Sequence, residues 1–204
     1  NTVIADSQVE NGSCERCRTR VQVRNTPQYF FRTTAYRDRI AAMIEIIDMP
    51  ESTRRIQRQR VAEMRDFCIS RQRRFGAPIP IEGETDVIDG FFDSSYYFVR
   101  YCSNDPQVIC RPEEYRPIDV YVGGQEHAAG HMIYAMAFHC FFQDIGVIPA
   151  HFPVPFRRVV HQGVIHRDGV RMSKNRGNGI DPTGFDSDEI RMAMMFMGPF
   201  EVNR

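Results

Sequence analysis

Residues 118–127 read Ile118-Asp119-Val120-Tyr121-Val122-Gly123-Gly124-Gln125-Glu126-His127, and they decide the fold. The β-branched residues Ile118, Val120 and Val122 alternate onto one face, which predicts a short strand after Pro117. Gly123-Gly124 ends the run. From Glu126 to about Gln143, residues Met132, Ile133, Met136, Cys140 and Phe141 recur on one stripe, which predicts a helix. Strand, paired glycines and helix make the layout of a nucleotide-binding turn. Glycines let the backbone approach a ligand, and a helix N-terminus offers unpaired N–H groups and positive potential. A glycine pair alone is a weak signal, because many strand-to-helix turns carry glycine for geometry only.

Working outward, Arg158-Val159-Val160-His161-Gln162-Gly163-Val164-Ile165 predicts a second buried strand with a glycine near its end. Asp168 to Gly179 is a polar, glycine-rich loop containing Arg171, Lys174 and Arg176. It is either a mobile clamp for phosphate oxygens or a solvated surface loop. A last helix over about Ser187–Met197 places Ile190, Met194 and Met195 near one face. Upstream, residues 1–37 read as short strands around a cysteine turn, and 34–48 as a helix with Tyr36, Ile40, Met43, Ile44 and Ile47 at helical spacing. Residues 52–67 predict a helix so rich in arginine, from Arg54 to Arg60, that it is either a solvated face or, with Arg71-Gln72-Arg73-Arg74, a phosphate-contacting surface. The fold class is α/β.

The chain has 204 residues and 26 side chains of each sign, so it is neutral and does not read as a generic basic nucleic-acid binder. No apolar run approaches the length of a membrane span, and residues 1–30 do not read as a signal peptide. Leucine and tryptophan are absent, and Lys174 is the only lysine among the 26 basic residues. At leucine's usual share of roughly a tenth, its chance absence is on the order of one in a billion. Met, Phe, Ile and Val must therefore fill the core, and the bias belongs to the source or to design.

The six cysteines, lacking a secretory signal, do not predict a disulfide framework. Cys14 and Cys17 have the spacing of a zinc half-site, but no second Cys-x-x-Cys follows, and a structural site needs four ligands. They are weak metal candidates, and no metal site is expected. His127 and His131 are predicted to lie four apart on one helix face. Glu126 precedes the pair instead of lying inside it, so the zincin pattern is absent. The two histidines read either as a polar patch or as part of a pocket in which Glu126 and the imidazoles hydrogen-bond a ligand.

In this order the segments resemble leucyl-tRNA synthetases. Val120 to Ala128 resembles their Gly-Gly-x-Glu-His signature, with His131 and Tyr134 following in place. Arg171-Met172-Ser173-Lys174-Asn175 resembles the Lys-Met-Ser-Lys-Ser loop of class I aminoacyl-tRNA synthetases, and Gly177 to Pro182 continues the likeness. Ser70 to Arg73 with Phe75 to Pro80 is similar to the segment re-entering the catalytic domain after its connective insertion. Glu84-Thr85-Asp86 through Tyr97 is similar to the leucine-site segment, and Pro27 to Phe30 with Thr34 to Tyr36 to the part preceding the editing insertion. The likeness covers nearly the whole chain. The family's His-Ile-Gly-His half is absent, the stretch from Arg54 to Asp66 is too short for an editing domain, and the usual zinc insert is reduced to Ile81-Glu82-Gly83. Family Trp and Leu positions carry Phe, Tyr, Met or Ile, and the signature loop has Arg171 and Asn175 at its ends.

The resemblance implies the second half of a Rossmann-like catalytic domain with a small β-rich connective remnant. Its divisions would be a connective segment at 1–80, the half-domain at 81–170, and the signature loop with the following helix at 171–204. It implies a ligase that activates leucine with ATP and Mg2+ for transfer to tRNA, in the cytoplasm or an organelle, with the missing first half as a partner and no membrane. Lys174, Ser173 and Arg171 would be the catalytic residues, Lys174 contacting the phosphates as a compact ammonium that arginine's planar fork replaces poorly and Ser173 donating a hydrogen bond in the same loop. Gly123, Gly124, Glu126, Gln162, the backbone of Val164 and Met172 would hold ATP, and Phe91, Ser94, Tyr97 and His127 the amino acid. Two other readings stay open: a non-catalytic paralogue acting as a binding or assembly module, and a redesigned reduced-alphabet fragment.

Overall fold

The computed structural model describes residues 8–15, 17–23 and 25–203. In chain order the elements begin with β1 (Val9–Glu10), β2 (Ser13–Cys14), β3 (Phe30–Phe31), α1 (Arg37–Ile46) and α2 (Glu51–Ala62). Next come β4 (Phe67–Cys68), β5 (Ser70–Arg71), β6 (Val87–Ile88), α3 (Gly90–Ser94) and α4 (Tyr97–Arg100). The chain finishes with β7 (Ile118–Gly124), α5 (His131–Asp144), β8 (Phe156–Gln162), β9 (His166–Arg167), β10 (Val170–Arg171) and α6 (Ser187–Phe196). β1–β2, β3–β4, β5–β6 and β9–β10 are two-residue antiparallel ribbons; only β7 and β8 form a longer ladder, and it is parallel.

That ladder is a βαβ unit with α5 as its crossover. Its register sets Tyr121 against Val159, Gly123 against His161 and Gly124 against Gln162. The glycine pair therefore extends the strand instead of ending it. The outer edge of β8 is capped by Asp48, whose N–H donates to Arg157 O and whose carbonyl accepts from Val159 N–H. The outer edge of β7 pairs with no other strand among the described residues.

Three sequence expectations change here. The helix begins at His131, not Glu126, because Gln125–His127 forms a 3-10 turn and Gly130 takes a non-helical backbone (φ −121°, ψ −98°). His127 and His131 therefore do not share a helix face; their rings meet edge-on at 6.2 Å. The predicted α5 stripe is too narrow: 10 of its 14 residues are buried, the behaviour of a helix enclosed on every side. Val120 and Val122 do alternate onto one face of β7, but that face is 49% and 56% exposed, and Tyr121 on the opposite face is buried instead.

Without leucine, the core is filled by Ile40, Ile44, Ile47, Met132, Met136, Phe98 and Phe156, with α1 and α5 packed together. An aromatic cluster completes it: Phe31 stacks on Phe138 at 5.6 Å, and Phe92 approaches Phe138 at 4.7 Å. The arginine-rich helix α2 turns Thr53, Gln57 and Val61 inward at i, i+4 and i+8. Arg54 donates to the carbonyls of Ile44 and Ile47, tying off the end of α1. Arg58 pairs with Glu45 and Glu51. Two of the arginines read as a solvated or phosphate-contacting surface thus clasp α1 to α2.

Candidate nucleotide and amino-acid site

A cavity of about 310 Å³ opens where β7, β8, α3 and the start of α5 meet. Phe91, Ser94 and Tyr97 form one wall. They are placed by Asp89, which caps α3 by accepting from the N–H groups of Phe91 and Phe92 at 2.9 and 3.3 Å. The other Asp89 oxygen pairs with Arg71 Nε at 2.8 Å, and this nearly buried ion pair anchors the wall to β5. His127 and His131 close the helix side, and Tyr121, Val159 and His161 rise from the inner face of the ladder.

The two glycines serve different ends. A Cβ on Gly123 would meet open space, so this is where a ligand can lie against backbone. A Cβ on Gly124 would collide with the carboxylate of Glu126, so the second glycine makes room for that side chain. Glu126 is held below the usual carboxylate range by its own backbone N–H, then by the guanidinium of Arg171, 3.1 Å away. The carboxamide of Gln162 spans both glycines, and satisfies them with its nitrogen on Gly123 O at 2.9 Å and its oxygen on Gly124 N–H at 3.2 Å.

At the inner end, Tyr97, Tyr121 and His131 stack nearly parallel, within 16° of one another. The Tyr121 hydroxyl donates to that of Tyr97 and lies 2.6 Å from His131 Nε2. With its single proton directed at Tyr97, Tyr121 accepts the Nε2–H of His131, leaving the proton of Tyr97 available to a ligand. Burial, then the nearby His127, lowers His131 to about 4, so the imidazole is neutral at pH 7. Burial likewise raises Tyr121 far above the phenolic range.

The structure thus gathers Phe91, Ser94, Tyr97, His127, Gly123, Gly124 and Gln162 around one cavity, and Glu126, whose carboxylate lies against Gly124, is not among its lining residues. The remaining expected residues stand outside it. Ser173 Oγ accepts from Arg176 N–H, and Asn178 bonds to both Ser173 N–H and Arg171 O, giving the signature loop its shape. Arg171 reaches the site through Glu126. The Lys174 ammonium is exposed and has no acidic partner within 4 Å among the described residues. Met172 donates its N–H to Ile165 O and does not line the cavity. The N–H of Val164 is taken by Asn203 Oδ1 at 2.8 Å, and that of Gly163 by Phe200 O at 2.9 Å.

Sequence reasoning did not assign Tyr121, Met132, Val159 or His161 to the site. The strand register that brings them together was the missing signal. Cys14 and Cys17 gather no further Cys, His, Asp or Glu among the described residues, so they do not fit a four-ligand zinc site. Thr19 stabilises the Cys17 thiolate and lowers that thiol to about 7. All six cysteines are free, and no described helix is long and apolar enough to cross a membrane.

Comparisons with known proteins bear on this geometry. The chain is 41% identical over 127 residues to the leucine–tRNA ligase of Marinomonas sp. (strain MWYL1), a match over 59% of this chain and 15% of that protein. It is 40% identical over 129 residues to that of Thioalkalivibrio sulfidiphilus (strain HL-EbGR7), over 60% and 16%. Among solved structures it superposes on the Agrobacterium radiobacter K84 agnB2 LeuRS–tRNA–LeuAMS complex with a TM-score of 0.81 at 19% identity, covering 100% of this chain and 52% of that one. It also superposes on Mycobacterium tuberculosis methionyl-tRNA synthetase bound by methionyl-adenylate, with a TM-score of 0.69 at 23% identity, over 99% and 39%. The chain thus spans about half of the LeuRS chain it matches, and its fold is that of class I synthetase catalytic domains. The model of the family "tRNA synthetases class I (M)" matches residues 1–201, and the chain belongs to the class I tRNA synthetases.

Proposed function

We propose that this chain supplies the second half of a leucine-activating catalytic site and works with a first half that brings the remaining phosphate-binding groups. A single observation carries the reading. One cavity sets the wall of Phe91, Ser94 and Tyr97 against the backbone of Gly123 and Gly124, so an apolar amino acid and a nucleotide would meet inside it. The leucine carboxylate oxygen would attack the α-phosphorus of ATP, breaking the bond to the β,γ-phosphates and releasing pyrophosphate. The leucyl group would then pass to a tRNA hydroxyl, freeing AMP. The chain would contribute positioning and charge stabilisation, with no covalent enzyme intermediate.

Glu126 would accept a ribose hydroxyl on exchanging Arg171 for it. Lys174, exposed on the signature loop, would meet the phosphates that travel with Mg2+, and Ser173 would hold the loop's shape. An aromatic wall suits a branched aliphatic side chain, although such pockets separate ligands differing by one methylene by only about 1–3 kcal/mol. The first half would lie along the outer edge of β7, unpaired among the described residues, and cover Val120 and Val122, which otherwise leave an apolar strand face in water.

A second reading, a non-catalytic relative kept as a binding module, is favoured by the segment at Phe200–Asn203, which occupies the N–H of Val164, expected to hold ATP, and that of its neighbour Gly163. Pyrophosphate exchange with leucine and ATP separates the two. It is run on this chain alone and with the first half of a leucine–tRNA ligase catalytic domain. Exchange in the second format is expected; no exchange in either, together with no ATP binding, overturns the proposal.

A further inference from the structure

His161 is buried to 8% exposure on β8, where it shares the inner face of the ladder with Tyr121 and Gly123. Its Nδ1 lies 2.9 Å from Gly123 O. A carbonyl only accepts, so Nδ1 carries the hydrogen, and in the neutral ring Nε2 is then a bare acceptor. That Nε2 is buried and has no partner among the described residues. Two other buried side-chain atoms among the described residues share this condition, Thr53 Oγ1 and Gln57 Oε1, and neither residue lines the cavity. His161 does. Buried acceptors without partners are uncommon in folded proteins, and one set in the wall of a cavity marks a place where a donor arrives from outside the protein.

We infer that His161 is a ligand-binding residue of this site, its tautomer fixed by the Gly123 carbonyl so that Nε2 accepts a hydrogen bond from an O–H or N–H group of the bound substrate. The inference rests on the proposed function for the identity of that substrate. Carboxylate and phosphate oxygens are acceptors and cannot pair with Nε2. The donors that an amino acid and ATP bring are the α-ammonium, the ribose hydroxyls and the adenine 6-amino group. Because Gly123 O receives both His161 and Gln162, a substitution at His161 also touches the glycine turn, and the test must separate the two effects.

Asparagine places an N–H near the position of Nδ1 and removes the acceptor at Nε2; glutamine places a carbonyl near Nε2. His161→Asn is expected to keep the wild-type fold and melting midpoint while binding the substrate about tenfold more weakly, the size of one lost hydrogen bond, and His161→Gln to recover part of that loss. The direct readout is the 15N resonance of His161 Nε2 in the wild-type chain, followed as leucine, ATP, 2′-deoxy-ATP, 3′-deoxy-ATP or a non-hydrolysable leucyl-adenylate analogue is added. The expected result is a bare-nitrogen signal that moves to a hydrogen-bonded position with one substrate. Loss of the response with one deoxy nucleotide identifies a ribose hydroxyl, and a response to leucine alone identifies the ammonium. A response to ATP that survives in both deoxy nucleotides identifies the adenine 6-amino group. If the resonances of Tyr97 and Gly123 respond to these probes while Nε2 does not, or if His161→Asn binds as wild type does, the inference is overturned and the proposed function stands. If no probe perturbs any residue of the cavity, whether the chain is alone or mixed with the first half of the catalytic domain, the proposed function fails and the inference falls with it.

Discussion

The ladder of β7 and β8 under α5 and the stretch from Gly163 to Asn203 both carry residues expected at one site, yet they are held in different ways. The ladder is braced from several sides: Arg71 and Asp89 fix the aromatic wall, Gln162 and His161 grip the glycine turn, and Tyr121 links Tyr97 to His131. The C-terminal stretch touches Glu126 through Arg171 and lies on Gly163 and Val164 through residues 200–203. Helix α6 is well formed locally, with a capping box at Asp186 and Glu189, but none of its residues is buried. The end of the cavity proposed for the amino acid is therefore held by several contacts, and the stretch proposed to meet the phosphates by few. Substitutions that break these braces should change stability, and those in the second region should change ligand handling.

Acid gives the largest contrast. His131 and His139 are both lowered to about 4 by burial. His139 is satisfied as a neutral ring, donating Nε2–H to Phe152 O while Nδ1 accepts from Tyr115. The unfolded chain protonates its histidines near 6.5 and the folded chain only near 4, so between these values the unfolded state binds more protons. Stability then falls as pH falls, by about 3 kcal/mol for each histidine across that window. Urea midpoints measured from pH 7 to pH 4 should drop steeply, and His139→Gln should flatten the slope. A flat profile in the wild type would remove the brace assigned to these rings.

Breaking the buried ion pair comes next. Arg71→Ala leaves Asp89 nearly buried without its guanidinium and should cost about 3 kcal/mol in denaturant unfolding, whereas Arg191→Ala, which loses an exposed pair on α6, should leave the midpoint unchanged. Equal losses at both sites would erase the distinction between the regions.

In the C-terminal stretch, Lys174→Arg should lower pyrophosphate exchange by about a hundredfold at unchanged melting temperature, since a planar fork does not reproduce the ammonium's reach. Wild-type rates in that variant would show that the loop does not clamp phosphate. The smallest effect is expected at Asn203→Ala. It frees the N–H of Val164, and ATP affinity measured by calorimetry should rise about fivefold, the size of one competing hydrogen bond. Unchanged or weaker affinity would mean that the tail does not compete.

The same contrast explains what the sequence made legible. Strand, glycine pair and helix were readable because period-2 and helical patterns adjoin a break, and the Arg171 to Asn175 signature was readable as a motif. The start of α5 was not, because Gly130 interrupts the helical path after a short 3-10 turn. Alternation in β7 told which residues share a face but not which face is buried, and Val120 and Val122 lie on the open one. In α2 the inward residues Thr53 and Gln57 are polar, so the apolar pattern was silent while the arginines drew the reading outward. His161 looked like an ordinary strand residue until the register set it against Gly123. The absence of leucine is likewise a matter of pattern: Met, Ile and Phe occupy the core positions without altering its periodicity.

The central claim is that this chain holds one half of a leucine-activating site. Pyrophosphate exchange driven by leucine and ATP, measured with the chain mixed with the first half of a leucine–tRNA ligase catalytic domain, tests it most directly. The account predicts leucine-dependent exchange that requires both halves. It would be contradicted if the mixture were inactive while both parts were folded and the chain bound neither ATP nor leucine.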